Sequence, residues 1–338
     1  MPALIPRREV MFGLIATGAT LLLGRRAPAA DFHFRQFHDQ PANSPLHRNL
    51  LEMWRAVKEQ TGGLVQVQTF AENGGLRGGD RAALKMLIDG DLDFFTLNGG
   101  MIGTVVPAMN VQSIPFAFRN HAQVYKALDG NLGDYLCQAM EARGIYGFRG
   151  GCFANGFQQM TCATRPIRTA GDLQGLKMRS PAAEIYVELW KALDATPVVT
   201  DLGKAYEALK SGATEAQADP LSIVEDLKLY EVQKYVSITN HIWAGFNLIA
   251  NLRVWQGLPP EVRTVIERNV AKYVSLQRAA NDAFNARLRP RLVQQGMIFN
   301  HAEPSTFRSR LGPFYSHWKK IIGERTWSLL EASVGEIG

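Results

Sequence analysis

Two periods of hydrophobic and polar positions alternate along the chain. Residues 33–37 and 64–70 alternate with period two and predict strands, whereas the apolar positions between 47 and 61 have helical spacing. The segment RAALKMLID predicts a helix that Asp80 caps and Gly90 ends, and LDFFTL predicts the buried strand that follows. Strands and helices that alternate in this way are typical of an α/β fold.

One combination of helix, glycine and short strand occurs twice, in residues 83–95 and 205–217. The two strands end near Asn98 and Asp219, at nearly equivalent places. Ligands of open α/β sheets bind beyond the carboxyl ends of strands. The repeat therefore indicates two similar lobes around one cleft, although two such segments can also coincide by chance.

A longer helical pattern follows Pro259-Pro260 and extends as far as Gly296. A helix of up to 35 residues would be about 50 Å long at about 1.5 Å per residue. Such a helix can lie across two lobes. We expect Pro290 to kink or interrupt it, since proline lacks the amide hydrogen that the helix needs.

The N-terminal residues have the organisation of a secretory signal. Arg7 and Arg8 precede an apolar run at 10–24, and Ala27-Pro28-Ala29 is a typical cleavage site, so we expect residues 1–29 to be removed. The run is shorter than the roughly 20 residues that span a bilayer. The paired arginines leave both the general and the twin-arginine export routes open. The prediction is a soluble, exported protein of the periplasm.

Composition limits the function classes further. The 338 residues are 46% hydrophobic and 20% charged, which suits a globular protein of two domains. The formal net charge is +6, of which residues 1–29 carry +3, and so mild an excess does not indicate a nucleic-acid partner. The chain contains no P-loop, no GxGxxG after a strand, no HExxH and no GxSxG, so we expect neither a cofactor nor a metal.

The three cysteines, Cys137, Cys152 and Cys162, lack the spacing of a metal site. In an oxidising compartment Cys152 and Cys162 can pair, but buried free thiols are the commoner outcome. The sequence leaves both possibilities open.

Four long segments occur in an order that resembles the DctP-type solute-binding proteins of TRAP transporters, over about residues 31–330. They are GGLRGGDRAALKMLIDGDLDFF, SIPFAFRNHAQVYKAL, NGFQQMTCATRPIRTAGDLQGLKMRSP and YEALKSGATEAQADPLSIVEDLKLYEVQKYVSITNHIW. The resemblance implies a two-lobed α/β periplasmic binding protein fold, with a mixed sheet flanked by helices in each lobe and a long helix spanning both. It implies that lobe I comprises 31–154 and 245–283, and lobe II 155–244 and 284–338. It also implies the membrane subunits of a TRAP transporter as partners.

The resemblance assigns a ligand-binding role to Arg179, the arginine of LKMRSP. In the family this arginine binds the ligand carboxylate through two parallel hydrogen bonds, for which a planar guanidinium is well suited. Two positions depart from the family pattern: Gln158 stands where a second arginine is usual, and Asp219 where an asparagine is usual. The cleft is thus about two charges more negative than the pattern, which disfavours dicarboxylates.

Four further positions match ligand contacts of the family. Phe37 and Trp243 could each stack on a sugar or aromatic ring, or belong to the core. Asn98 matches a polar contact, and Leu202 matches an apolar or aromatic wall. We expect these four residues to complete the site.

The sequence therefore predicts capture of a small organic monocarboxylate: a hydroxylated acid, a sugar acid or an aromatic acid. Two alternatives stay open. One is a secreted enzyme that binds a carboxylate with Arg179 and uses Asp219 as a base. The other is a sensor partner with the same binding site.

Overall fold

The strands form two sheets in residues 31–337, the part of the chain that this computed structural model describes. The predicted signal at 1–29 lies outside the described residues. The first sheet comprises five strands and the second six. In chain order the strands are β1 (Phe32–His38), β2 (Val65–Phe70), β3 (Phe94–Asn98), β4 (Ile145–Phe157), β5 (Gln159–Cys162), β6 (Lys177–Ser180), β7 (Thr196–Val199), β8 (Ala216–Asp219), β9 (Tyr235–Ile238), β10 (Trp243–Asn251) and β11 (Ile298–His301).

Helices flank both sheets and include those that the apolar spacing predicts after β1 and before β3. In chain order they are α1 (Pro45–Gln60), α2 (Gly79–Asp89), α3 (Gly99–Ile102), α4 (His121–Leu128), α5 (Asn131–Glu141), α6 (Glu184–Ala192), α7 (Ala205–Lys210), α8 (Leu221–Asp226), α9 (Leu252–Gln256), α10 (Pro260–Gln294), α11 (Pro304–Arg308), α12 (Gly312–Ile322) and α13 (Glu324–Val334). In the described part of the chain, none of them is long and apolar enough to traverse a lipid bilayer.

Both sheets are mixed, as the resemblance implies. The first has the order β2-β1-β3-β10-β4, in which β1 is parallel to β2 and β3, while β10 is antiparallel to β3 and β4. The second has the order β11-β9-β5-β8-β6-β7. Its strand β6 is parallel to β7 and β8, so the carboxyl ends of β6 and β8 meet at one edge.

The amphipathic helix α1 shows why the first sheet is stable. Ser44 caps the helix by accepting a hydrogen bond from the amide of His47 at 3.2 Å. The apolar side of α1 buries Leu50, Met53 and Trp54 in a cluster with residues of the first sheet and of α10. Burial of each such side chain contributes about 2 kcal/mol.

The chain passes between the sheets through short connections at 157–159 and 239–242, and through α10. Each connection has a residue with positive φ: Gly156, at 124°, directly precedes the first, and Asn240, at 46°, lies within the second. Gln159 links them, because its Oε1 accepts hydrogen bonds from the amides of Thr239 and Asn240 at 2.9 and 3.1 Å. These connections hold the carboxyl ends of the two sets of strands close together.

Helix α10 contains 35 residues, the upper length that the pattern predicted. The expectation that Pro290 interrupts it is wrong, because the helix continues through that residue to Gln294. It contacts α1 and β4 of the first sheet and α8 beside the second. Arg278 anchors it through hydrogen bonds to both carboxylate oxygens of Asp129, at 2.5 and 2.9 Å. The last two helices, α12 and α13, return to pack on α4, α5 and the turn at 107–113. The lobe bounds given above stay a prediction.

All three cysteines are buried and free in the described chain. Cys152 belongs to a strand of the first sheet and Cys162 to a strand of the second, and no bridge joins them. Burial raises the pKa of the Cys152 thiol to about 12, so it is protonated at neutral pH.

Candidate ligand-binding site

A small cavity lies where the carboxyl ends of strands from both sheets meet, and we call it the inner cavity. Its volume is about 40 Å³. From the first sheet, Asp39 follows β1 and Asn98 ends the parallel strand β3. From the second, Arg179 lies near the end of β6 and Asp219 ends the parallel strand β8. This is the place that the repeated helix–strand combination predicts for a ligand.

Five of the seven predicted site residues line the inner cavity together: Arg179, Gln158, Asp219, Asn98 and Leu202. They come from distant parts of the sequence. Gln158 is placed by the connection between β4 and β5, where its amide donates to the carbonyl of Ile242 at 2.8 Å. The structure thus brings the charged and polar members of the predicted set to one place.

Phe37 and Trp243 do not line the inner cavity in the described structure. Phe37 is buried and packs edge-on against Phe70, with ring centroids 5.4 Å apart. Trp243 is buried and packs edge-on against Tyr125 at 6.3 Å. Both side chains occupy the core, the alternative that sequence reasoning left open for them.

The Arg179 side chain is buried, and two contacts hold its guanidinium group in place. Its Nε donates to the carbonyl of Thr200 at 2.9 Å, and its Nη1 lies 3.4 Å from Oδ2 of Asp219. Arg179 is one of the residues that line the inner cavity. A fork held in this way is suited to bind a carboxylate through two parallel hydrogen bonds.

Asp219 is also buried, though less completely than Arg179, and two opposing effects set its charge. Burial raises the pKa of the carboxyl to about 6, while the neighbouring Arg179 guanidinium limits the rise. At neutral pH Asp219 is therefore mostly ionised, and at pH 5 it is mostly a neutral hydrogen-bond donor.

Sequence reasoning missed two carboxylates in the inner cavity, Asp39 and Asp80. Asp39 belongs to the segment HDQPANSP, which sequence reasoning would assign to a turn. Its position directly after β1 is the feature that could have identified it as a cleft residue. The expectation that Asp80 caps α2 is wrong: Gly78 is the N-cap, and Asp80 lies in the first turn and accepts a hydrogen bond from Asn73 at 2.8 Å. Burial raises the pKa of both carboxyls, and their mutual repulsion raises that of Asp39 further.

Tyr186, on α6 beside the second sheet, is a further lining residue that sequence reasoning missed. Its hydroxyl donates to Oδ1 of Asn98, at the end of β3 in the first sheet, at 3.2 Å, and lies 2.9 Å from the hydroxyl of Ser113. Tyr186 therefore links elements of the two sheets beside the cavity. Burial raises its pKa to about 12, so the phenol remains a donor at all physiological pH values.

A second cavity of about 230 Å³ adjoins the first, and we call it the outer chamber. It is bounded by the 3₁₀ turn Ala71–Gly75, the start of α2 and residues 201–204. The two cavities share Asp39, Asp80 and Leu202, so they form one cleft between the two sets of strands.

Comparison with known proteins identifies the family of the chain. The sequence profile of bacterial extracellular solute-binding protein family 7, DctP, matches residues 37–321. The C4-dicarboxylate-binding periplasmic protein DctP of Rhodobacter capsulatus is 25% identical over 335 residues, which cover 97% of this chain and 99% of the relative.

Solved structures agree with the fold. A TRAP periplasmic solute-binding protein from Polaromonas sp. JS666, bound to D-erythronate, is 26% identical with a TM-score of 0.83 and covers 89% of this chain and 98% of its own. Another from Xanthobacter autotrophicus Py2, bound to β-D-galacturonate, is 25% identical with the same TM-score and the same coverage. The chain belongs to the DctP family of bacterial extracellular solute-binding proteins, which serve TRAP transporters.

Proposed function

We propose that this protein captures a small organic monocarboxylate in the periplasm and delivers it to the membrane subunits of a TRAP transporter. The observation that carries the proposal is Arg179, a buried guanidinium held by Thr200 at the wall of the inner cavity. The ligand carboxylate binds this fork, and burial strengthens the charge-assisted hydrogen bonds.

The rest of the ligand carries hydroxyl groups rather than a second carboxylate. Asp219 lines the same cavity as Arg179 and is mostly ionised at neutral pH, and an ionised carboxylate can only accept hydrogen bonds. Gln158 lines the cavity at the position where the family usually has a second arginine, so the site lacks a second cation for a dianion. Sugar acids and aromatic hydroxy acids meet these conditions. The erythronate and galacturonate bound by the two structural relatives support this class.

The lobes close around the ligand by a hinge motion and release it unchanged. The connections at 157–159 and 239–242, next to the positive-φ residues Gly156 and Asn240, supply the hinge. Tyr186 with Asn98 supplies a contact between the closed lobes. Binding and release require no chemical step, so we propose a binding protein rather than an enzyme or a sensor partner.

A panel of acids tests the ligand class. Thermal-shift screening followed by calorimetry at neutral pH should rank a hydroxylated or ring-bearing monocarboxylate first. Succinate, malate and fumarate should bind at least about tenfold more weakly, because a second carboxylate close to Asp219 costs several kcal/mol. Mass spectrometry of ligand released from the denatured protein should show the intact acid. Preference for a C4-dicarboxylate, or turnover of the ligand, would contradict the proposal.

A further inference from the structure

The first turn of α2 contacts the second sheet beside the cleft. Arg81, in that turn, donates a hydrogen bond from its Nε to the carbonyl of Ala182 at 2.8 Å, although the two residues are 101 positions apart in the sequence. Helix α2 packs on β3 and β10 of the first sheet, whereas Ala182 lies between β6 and α6 on the side of the second. This hydrogen bond therefore joins the two sides of the cleft.

A second close approach lies next to the first. The carboxylate of Asp201, just beyond the end of β7, is so near to Gly79 that a Cβ atom at position 79 would lie 3.1 Å from its Oδ1. Most Cβ atoms in proteins have no contact as short as this. Gly79 also has a φ of 55°, which favours glycine. Glycine at position 79 thus allows residues of the second sheet to approach the start of α2 this closely.

Both approaches to α2 are made by the segments that hold Arg179. Ala182 follows Arg179 after two intervening residues. Asp201 directly follows Thr200, whose carbonyl accepts the hydrogen bond from Nε of Arg179. A ligand carboxylate on Arg179 is therefore attached to the same part of the second sheet that Arg81 contacts.

Arg81 is not a ligand contact in this arrangement, since it lines neither the inner cavity nor the outer chamber of the described structure. A second arginine of the same segment, GGLRGGDR, offers a comparison. Arg77 is exposed like Arg81 and also lines neither cavity, but its side chain forms no hydrogen bond or ion pair within the described part of the chain. The two residues thus have the same charge and differ in the contact with Ala182.

We propose that Arg81 is a positioning residue that retains the ligand by holding the two sides of the cleft together, without touching the ligand itself. The inference rests on the proposed function and adds to it the residue that controls release. Because the two sides are joined by the hinge connections at 157–159 and 239–242, the hydrogen bond between Arg81 and Ala182 exists only when the cleft is closed. Such a contact favours the closed state and slows release of the ligand, while the rate at which the open state captures the ligand stays the same.

Three variants separate the hydrogen bond from the charge. Arg81→Gln has an amide nitrogen as many bonds from Cα as Nε of arginine, so it keeps a donor for the carbonyl of Ala182 and removes the charge. Arg81→Met has a side chain of similar length and removes both the donor and the charge. Arg77→Met removes an equal charge from the same exposed segment and is the matched control.

Association and release rates are measured by stopped flow at pH 7.5. The probes are D-galacturonate and D-erythronate, together with the first-ranked acid of the panel above. Arg81→Met should release the acid at least about threefold faster than Arg77→Met, because it lacks one hydrogen bond of the closed state, and Arg81→Gln should stay within about twofold of the wild type. Association rates should be equal in Arg81→Met and Arg77→Met, and the melting temperatures of the unliganded variants should equal that of the wild type.

The outcomes separate the role of Arg81 from the proposed function. If Arg81→Met and Arg77→Met release the acid at the same rate, or if Arg81→Gln releases it as fast as Arg81→Met, the role of Arg81 is wrong and the proposed function stands. A lower melting temperature of unliganded Arg81→Met with an unchanged release rate would show that the contact stabilises only the fold, which also overturns the inference. If no acid binds the wild type, or if Arg179→Ala binds the acids as tightly as the wild type, both inferences are wrong.

Discussion

The replacement of Asp219 by asparagine should make the stability of the unliganded protein less dependent on pH. Burial raises the pKa of Asp219 from 3.8 in the unfolded chain to about 6 in the folded protein. Between these two values the folded protein binds more protons than the unfolded chain, so stability is lost as pH rises through this window. Above pH 6 the ionised carboxylate is less favourable in the fold than in water.

The magnitude follows from the two pKa values. At about 1.4 kcal/mol for each pH unit between them, ionisation of Asp219 costs the folded state about 3 kcal/mol at pH 7.5. Roughly 2 kcal/mol of this develops between pH 4 and pH 7.5, because at pH 4 the unfolded chain is already partly ionised. The asparagine side chain of the variant does not titrate and has no such dependence. For a chain of this size about 2 °C of melting temperature corresponds to 1 kcal/mol, so the effect is on the order of 5 °C.

The assay is thermal unfolding of the wild type and of Asp219→Asn, without ligand, at several pH values from 4 to 7.5. The melting temperature of the variant minus that of the wild type should increase as pH rises, whatever this difference is at pH 4. The attraction of Arg179 for the ionised carboxylate is already contained in the pKa of about 6, so the change with pH reports the net cost of ionising Asp219 in the fold. Parallel curves for the two proteins, or a change in the opposite direction, would refute the assigned burial of an ionised Asp219.

Three other predictions concern ligand affinity. Arg179→Ala should lose about 3 kcal/mol or more of binding free energy. Arg179→Lys should also lose affinity, because an ammonium cannot form two parallel hydrogen bonds with a carboxylate. Equal calorimetric affinities for wild type and Arg179→Ala would exclude the binding role of Arg179. The double variant Gln158→Arg with Asp219→Asn should shift preference towards dicarboxylates in the same acid panel, and an unchanged ranking would count against the charge argument. Tyr186→Phe should release ligand about fivefold faster in stopped-flow measurements, since one hydrogen bond of about 1 kcal/mol between the lobes is lost. An unchanged release rate would mean that Tyr186 does not stabilise the closed state.

The sequence alone was sufficient for the architecture and for several of the residues that line the inner cavity. Apolar periodicity predicted the strands before and after α1 and the full length of α10, since burial of one side of an element is visible as spacing along the chain. The repeated helix–strand combination led to Asn98 and Asp219, which line one cavity in the structure. The segment LKMRSP pointed to Arg179, which is buried and lines the cavity.

Tertiary structure decided which side of an element each side chain occupies. The last three residues of β1, 36–38, are all buried, so alternation along that strand could not distinguish a cleft position from the core for Phe37. Trp243 packs against Tyr125, which is far earlier in the chain and adjacent only after folding.

The sequence also did not show that Asp39 and Asp80 belong to the cleft. Asp39 and Asp80 are typical turn and helix-start residues where they stand, and each alone needs no explanation beyond solvation or capping. They become part of a site only because β1 and α2 bring them to the same cavity as Arg179 and Asp219. Charge interactions depend on distance and burial, and neither quantity is encoded locally, so only the folded chain determines that one guanidinium lies among several carboxylates.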